Sequence, residues 1–226
     1  MPTHQEISGM SDEAFVQRMI TSYPERFAEA FWTFFTAQVM SRVPARPVVM
    51  DLGCGPGLFL QDVAARYTPS ALHGYDITPA MIHQAQKAVY RSVTPTLAVH
   101  DLTASSLPVA AGTVHLVHMS AVLHVLDDPY PVLAEICRVL APGGLFVLND
   151  WSRTPLQTYL DSRTDHSEDP EADRRRWFRL FPAHNKYTTE DWQWLLDTNG
   201  FQVHQRTQIR PHFHIFVTTP KADFSG

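Results

Sequence analysis

The sequence predicts an α/β fold: a doubly wound, seven-stranded, mostly parallel sheet with helices on both faces, an antiparallel edge hairpin and an N-terminal helical lid. Three observations carry this expectation. Between residues 47 and 150, short apolar runs alternate with segments of helical periodicity, the pattern of a parallel sheet covered on both sides. A glycine turn, Gly53-Cys54-Gly55-Pro56-Gly57, joins the first apolar run to the first helix behind it. Near the C-terminus two runs, Phe201–Gln208 and His212–Thr218, are separated only by Ile209-Arg210-Pro211, which makes a hairpin. At 226 residues and 44% apolar content one sizeable core is expected, so the chain reads as a single domain over 1–226.

Taken in order, residues 1–12 are polar and expected to be mobile. Glu13 to Met40 is helical and rich in aromatics, with a break at Ser22-Tyr23-Pro24 because proline suits a first helical turn. The second of these helices is apolar almost all round, so it either packs into the core or covers a pocket. Together, residues 1–40 form a helical cap. Pro47–Leu52 is the first strand, Leu58–Tyr67 a helix closed by Thr68-Pro69-Ser70, and Ala71–Tyr75 the second strand. Thr78 caps the next helix with Pro79 in its first turn, and Met81, Ile82, Ala85 and Val89 share one face. Thr96–Val99 and Val114–Met119 are the third and fourth strands. Tyr130–Leu140 is a helix, Ala141-Pro142-Gly143-Gly144 stops it, and Leu145–Leu148 is the fifth strand. Residues 151–187 break the rhythm and read as an insertion with one or two short helices. Within it, the acidic stretch Asp165–Asp173 precedes Arg174-Arg175-Arg176, read as a solvated helix face in preference to a ligand clamp. In the last part, 188–219, a capping box at Thr188-Thr189-Glu190-Asp191 starts a helix, Asn199-Gly200 stops it, and the hairpin follows.

The chemistry is carried by the ends of the strands. In an open parallel sheet the ligand lies beyond the carboxyl ends, near the point where strand order reverses. At the first end stand Asp51, Gly53, Cys54 and Gly55. Glycines there let backbone N–H groups approach a ligand. The spacing is Asp-x-Gly-x-Gly-x-Gly and differs from the dinucleotide Gly-x-Gly-x-x-Gly. An acid so close to the turn repels a pyrophosphate and suits a ligand with positive charge. At the second end, Asp76 and Ile77 follow, and Asp76 can accept from two ribose hydroxyls. Asp101 and Leu102 close the third strand, where an acid can accept from an exocyclic amine and an aliphatic side chain can pack on a ring. Ser120 and His124 follow the fourth strand, and Asp150 and Trp151 the fifth.

This set resembles the class I S-adenosylmethionine-dependent methyltransferases, whose fold is Rossmann-like. The resemblance is close over about 47–150 and looser over 186–219. It includes Met119 to Pro129 after strand four and Leu133 to Gly144 at the later motif. It implies a site for S-adenosyl-L-methionine at Asp51, Gly53, Cys54, Gly55, Asp76, Ile77, Met81, Asp101, Leu102 and Ser120. The product would be S-adenosyl-L-homocysteine, formed by in-line displacement onto a small-molecule nucleophile. Cys54 reads as a packing residue. Many relatives carry two histidines in succession after strand four, whereas here Val125 follows His124. The candidate base is therefore His124 or Asp150, or neither, since His124 can equally be structural. Phe31, Phe35, Trp151, Trp177, Phe178 and Phe181 are the candidate acceptor wall, with core packing as the other reading of the aromatics.

Composition narrows the partners. A net charge of −5 argues against nucleic acid, and no Asn-Pro-Pro-Tyr-like run follows strand four. No apolar run approaches the ~20 residues that span a membrane. The two cysteines form neither a disulfide framework nor a zinc pattern, so a cytoplasmic monomer or homodimer is expected. Twelve histidines invite a metal reading, but His115 and His118 fall on opposite faces of one strand, and His212 and His214 lack a third ligand, so no metal is expected. The competing function is a protein that binds the cofactor without transferring its methyl group.

Overall fold

The computed structural model describes residues 4–104, 106–164 and 169–222. Among these, seven strands, β1 (Val48–Leu52), β2 (Ala71–Asp76), β3 (Thr96–Val99), β4 (Val114–Ser120), β5 (Leu140–Trp151), β6 (Phe201–Arg210) and β7 (Phe213–Pro220), form one sheet ordered β3-β2-β1-β4-β5-β7-β6. The first five are parallel, and β7 runs antiparallel between β5 and β6. The chain winds outward from β1 to β3, then returns to lay β4 beside β1. The switch point, where crossover loops part and leave a crevice, is therefore between β1 and β4.

Strand parity divides the core in two. Met50, Leu52, Val117, Met119, Phe146 and Leu148 face one side, under α7 (Tyr130–Val139) and α10 (Thr189–Thr198). Val49, Leu116, Leu145 and Val147 face the other, under α5 (Leu58–Arg66) and an N-terminal helix, α4 (Glu29–Gln38). Asp51 and His118 are polar residues on that second face. They sit directly opposite each other in the β1–β4 register.

The N-terminal region differs from the expectation in two ways. Residues 4–8 form α1 (His4–Ser8), held by a hydrogen bond from Arg179 to the Ser8 carbonyl at 3.1 Å. The helical stretch also breaks twice, giving α2 (Asp12–Thr21), α3 (Tyr23–Arg26) and then α4. The break at Ser22 is the predicted one. The second falls at Phe27, whose φ of −121° and ψ of 51° leave the helical region. Phe27 is thereby turned inward onto Phe31 and Phe59, with ring centroids 4.8 and 5.6 Å away.

Other boundaries moved for identifiable reasons. The helix α6 (Pro79–Gln86) ends before Val89, which is 75% exposed. Thr78 stands at its N-cap without a side-chain cap bond. Ala141-Pro142-Gly143-Gly144 belongs to β5, absorbed by a register shift against β4 between Val114 and Leu116. Pairing with β7 extends β5 to Trp151, so Asp150 and Trp151 lie within the strand and not beyond it. The insertion holds α8 (Leu156–Thr164) and α9 (Pro170–His184), while residues 165–168 of the acidic stretch lie outside the described residues. The hairpin turn is Pro211-His212, with His212 at φ 65°. The capping box forms as expected: Thr188 Oγ1 accepts from the Asp191 N–H at 3.0 Å, and Asp191 returns the bond at 2.7 Å. Among the described residues no helix is long and apolar enough to cross a membrane.

Candidate functional site

A cavity of about 580 Å³ opens at the carboxyl ends of β1 to β4. Every residue named from the sequence for the cofactor lines it: Asp51, Gly53, Cys54, Gly55, Asp76, Ile77, Met81, Asp101, Leu102 and Ser120. The turn itself explains its glycines. Gly53, Gly55 and Gly57 have φ of 71°, 54° and 79°, the left-handed region that disfavours a side chain. At Gly53 a Cβ would also come 2.2 Å from Val122 Cγ2. At Gly55 the space where a Cβ would stand is open.

Asp76 ties the turn to β2. Its Oδ2 accepts from the Gly55 N–H at 2.8 Å and its Oδ1 from the Thr78 N–H at 2.9 Å. Burial pushes its carboxyl above the ordinary range, and those two bonds oppose the shift. Each oxygen keeps acceptor capacity for a further donor. Asp101 is organised by its own turn: Oδ1 accepts from both the N–H and the hydroxyl of Thr103, at 2.8 and 2.7 Å, which holds its carboxyl below the usual range. His100 beside it lines the cavity with Nε2 buried and unpartnered.

Asp51 has a partner that the sequence did not suggest. Its Oδ1 lies 2.7 Å from His118 Nδ1, and both side chains are almost fully buried. Burial raises the Asp51 carboxyl, opposed by the charges of His118 and Arg26. His118 stacks on Phe59 at 3.8 Å, and its Nε2 is buried without a partner. Cys54 is buried, and burial first, then the charges of Asp76 and Asp51, push its thiol well up, so it is no nucleophile.

The two candidate bases form a pair behind the wall. His124 Nδ1 lies 2.5 Å from Asp150 Oδ1, and Asp150 also accepts from the N–H groups of His124 and Trp151 at 3.3 and 2.7 Å. Neither His124 nor Asp150 is among the residues lining the cavity. Besides His100 and His118 at the strand ends, the wall holds His184, from the end of α9. Its ring stacks on Trp151 at 4.0 Å, meets the His124 ring edge-on at 5.2 Å, and its Nδ1 is 2.6 Å from Tyr159 Oη.

The candidate acceptor aromatics divide. Trp151 and Trp177 line the cavity. Phe31 and Phe35 do not. They are buried against Phe59 and His118, which is the core-packing reading of α4. Phe178 is 57% exposed on the outer face of α9, and Phe181 packs on Tyr159 at 5.3 Å, outside the lining. Their places in the wall are taken by Phe15, Met19 and Phe27 from the N-terminal helices and by Leu180 and Phe213. Among the described residues, Arg18, Arg26, Arg176 and Arg210 also line it. Of the Arg174-Arg175-Arg176 run, the first two are solvated as expected, while Arg176 turns inward one helical turn before Leu180. Among the described residues no three His, Cys, Asp or Glu side chains gather as a metal site.

Residues 50–148 match the methyltransferase domain family. A malonyl-[acyl-carrier protein] O-methyltransferase of Hahella chejuensis is 35% identical over 108 residues, covering 48% of this chain and 38% of that protein. A trans-aconitate 2-methyltransferase of Methylobacterium radiotolerans is 32% identical over 114 residues, covering 50% of this chain and 42% of that one. The chain thus spans less than half the length of these curated relatives. The structure of an S-adenosylmethionine-dependent methyltransferase from Mesorhizobium loti superposes with a TM-score of 0.62 at 21% identity, over 84% of this chain and 98% of that one.

Proposed function

We propose that this chain, whose residues 50–148 match the methyltransferase domain family, is a class I S-adenosylmethionine-dependent methyltransferase that moves a methyl group to a small-molecule nucleophile. One observation carries the reading: all ten positions named for the cofactor line a single cavity, together with aromatic residues and arginines from other elements. The residues fit the cofactor. The backbone at Gly55 is open to approach, Asp76 offers two carboxylate oxygens already oriented by N–H bonds, and Asp101 with Leu102 offers an acceptor beside an apolar face. When bound, S-adenosylmethionine supplies the electrophilic methyl on its sulfonium.

The chain's own contribution is position and exclusion of water. Tyr23, hydrogen-bonded to Asp62 at 2.6 Å, and Phe27 bring the N-terminal helices across the cavity. Trp151 and Trp177 wall the acceptor side. We assign to His184 the role of accepting a proton from an acceptor hydroxyl or amine, with Tyr159 fixing its ring. His124 and Asp150 act through it as positioning residues. Histidine suits this role near neutral pH. The negative net charge supports a small molecule over a nucleic acid as acceptor, and a cytoplasmic setting agrees with two unpaired thiols.

The test is calorimetry with S-adenosylhomocysteine, followed by incubation with methyl-labelled cofactor and a fractionated metabolite extract. Binding together with a labelled small molecule is the expected outcome. Absence of binding at millimolar levels would overturn the reading. Binding with no labelled product in any fraction would favour a cofactor-binding module.

A further inference from the structure

Four guanidinium groups converge on the cavity from elements that do not carry the cofactor motif: Arg18 from α2, Arg26 from α3, Arg176 from α9 and Arg210 from the end of β6. Among the described residues, two carboxylates, Glu25 and Asp173, line the cavity from those same elements, and three more, Asp51, Asp76 and Asp101, stand at the strand ends. The negative charge is gathered at the strand ends and the positive charge on the opposite wall, a separation that a neutral acceptor does not call for.

The geometry is most specific around Trp177. Arg18 Cζ lies 4.8 Å and Arg176 Cζ 5.1 Å from the centroid of the indole ring, so the two cations share one aromatic ring. Two acids, Asp173 and Glu25, act on Arg18. Asp173 Oδ1 takes Arg176 Nη2 at 2.6 Å and attracts Arg18 as well. The ion pair of Asp173 with Arg176 does not satisfy both forks, each with five N–H donors. Arg176 Nε is buried and without a partner, and so is Arg26 Nε. Ser22 Oγ, also in the cavity wall, is a third buried polar atom in the same condition. Burial and the charge of Arg176 both push Arg18 down, as expected for cations crowded in a poorly hydrated place. Unmet buried donors and crowded cations are relieved together by an anion.

We propose that the methyl acceptor carries a carboxylate, apart from the hydroxyl or amine that is methylated, and that Arg18 and Arg176 beside Trp177 hold this carboxylate, with Arg26 flanking. The inference rests on the methyl-transfer reading for the word acceptor, but the anion site stands on its own geometry. The guanidinium fork and the planar carboxylate match in a bidentate pair. The bound acid would replace part of the Asp173 contact and fill the remaining donor positions.

The cofactor itself carries a carboxylate, so the experiment must separate the two sources. The full chain is saturated with S-adenosylhomocysteine and its melting temperature followed against acetate, glutarate and citrate at low salt, with the neutral amides of the same acids alongside. The same titration is run on the Arg18→Gln and Arg176→Gln single variants and on the double variant. The expected result is stabilisation by one or more of the acids and not by the amides, with affinity lost by about tenfold or more in the double variant. Affinity for S-adenosylhomocysteine stays within about twofold, because these arginines lie outside the cofactor motif. Equal stabilisation by acids and amides, or none by any acid, would overturn the anion site while leaving the cofactor reading intact. A large loss of S-adenosylhomocysteine affinity in the variants would mean that the clamp serves the cofactor's own carboxylate, and the acceptor inference falls. If the double variant melts too low to measure, the single variants carry the same comparison.

Discussion

Replacing Asp76 by alanine is the sharpest test of the cofactor site. In the native chain the two carboxylate oxygens each accept one backbone N–H, from Gly55 and Thr78 at 2.8 and 2.9 Å. Two further hydrogen bonds to vicinal ribose hydroxyls would each be charge-assisted, about 1.5–3 kcal/mol apiece. Losing both costs about 3 kcal/mol at the low end, which is about a hundredfold in Kd. The turn loses its tether in the same substitution, so the fold must be followed separately. There two effects oppose each other: two N–H groups lose their acceptor, but a carboxylate raised by burial is removed. The net change in unliganded stability is expected within about 1 kcal/mol, or roughly 2–4 °C in Tm. Calorimetry with S-adenosylhomocysteine gives the first quantity and a melting curve without ligand gives the second. Dependence on pH supplies a sign. Ligand hydroxyls favour the ionised acid, so affinity is full above the raised pKa and falls as pH drops through it. The Asp76 contribution to unliganded stability moves the opposite way, because a raised acid binds more protons when folded and gains as pH falls from that pKa toward the ordinary carboxylate range. An Asp76→Ala variant that melts normally and binds within threefold of the parent would refute the assignment of Asp76 to the ribose.

Three other outcomes follow from the same contacts. Gly53→Ala meets Val122 Cγ2 at 2.2 Å with φ at 71°, so it should destabilise by about 2–4 kcal/mol in urea unfolding. Adding Val122→Ala should return part of that loss and leave the backbone strain; no recovery would place the cost elsewhere. Thr188→Ala removes one half of the capping box and should cost about 1 kcal/mol, seen as a Tm lower by roughly 2–4 °C. Once an acceptor is found, His184→Gln should lower kcat and flatten the acidic limb of its pH profile while leaving S-adenosylhomocysteine affinity unchanged, and an unaltered profile would remove His184 from proton transfer.

The cofactor side of the site was legible because its information is local. A strand end, a turn and a helix start are contiguous in sequence, and strand parity fixes which residues reach the end of the sheet. The same logic recovered Asp76 with Ile77 and Asp101 with Leu102 as lining residues. Even so, the sequence hid what Asp51 touches. His118 lies opposite it only because β4 is the strand that returns to β1, a pairing that depends on crossover order. Parity put His118 on one face of its strand. It did not say which neighbour would share that face.

The acceptor side was legible only in part, and the reason is physical. Its wall comes from α2, α3, α9 and the end of β6, brought together by packing between distant segments, and aromatic content alone cannot tell core from cavity. Aromatic content points to Phe31 and Phe35, yet both pack on Phe59 of α5 within the core on that face of the sheet. A usable signal lay in α9. Asp173, Arg176, Trp177, Leu180 and His184 recur at helical spacing, and all of them face the cavity, whereas Arg174, Arg175 and Phe178 fall on the other side. An arginine and an acid on the same stripe as a buried tryptophan are out of place in an ordinary amphipathic helix, which puts its charges opposite its apolar face. That misplacement distinguishes a helix that packs from one that lines a polar chamber. It makes Arg176, of the three consecutive arginines, the one whose charge has something to bind.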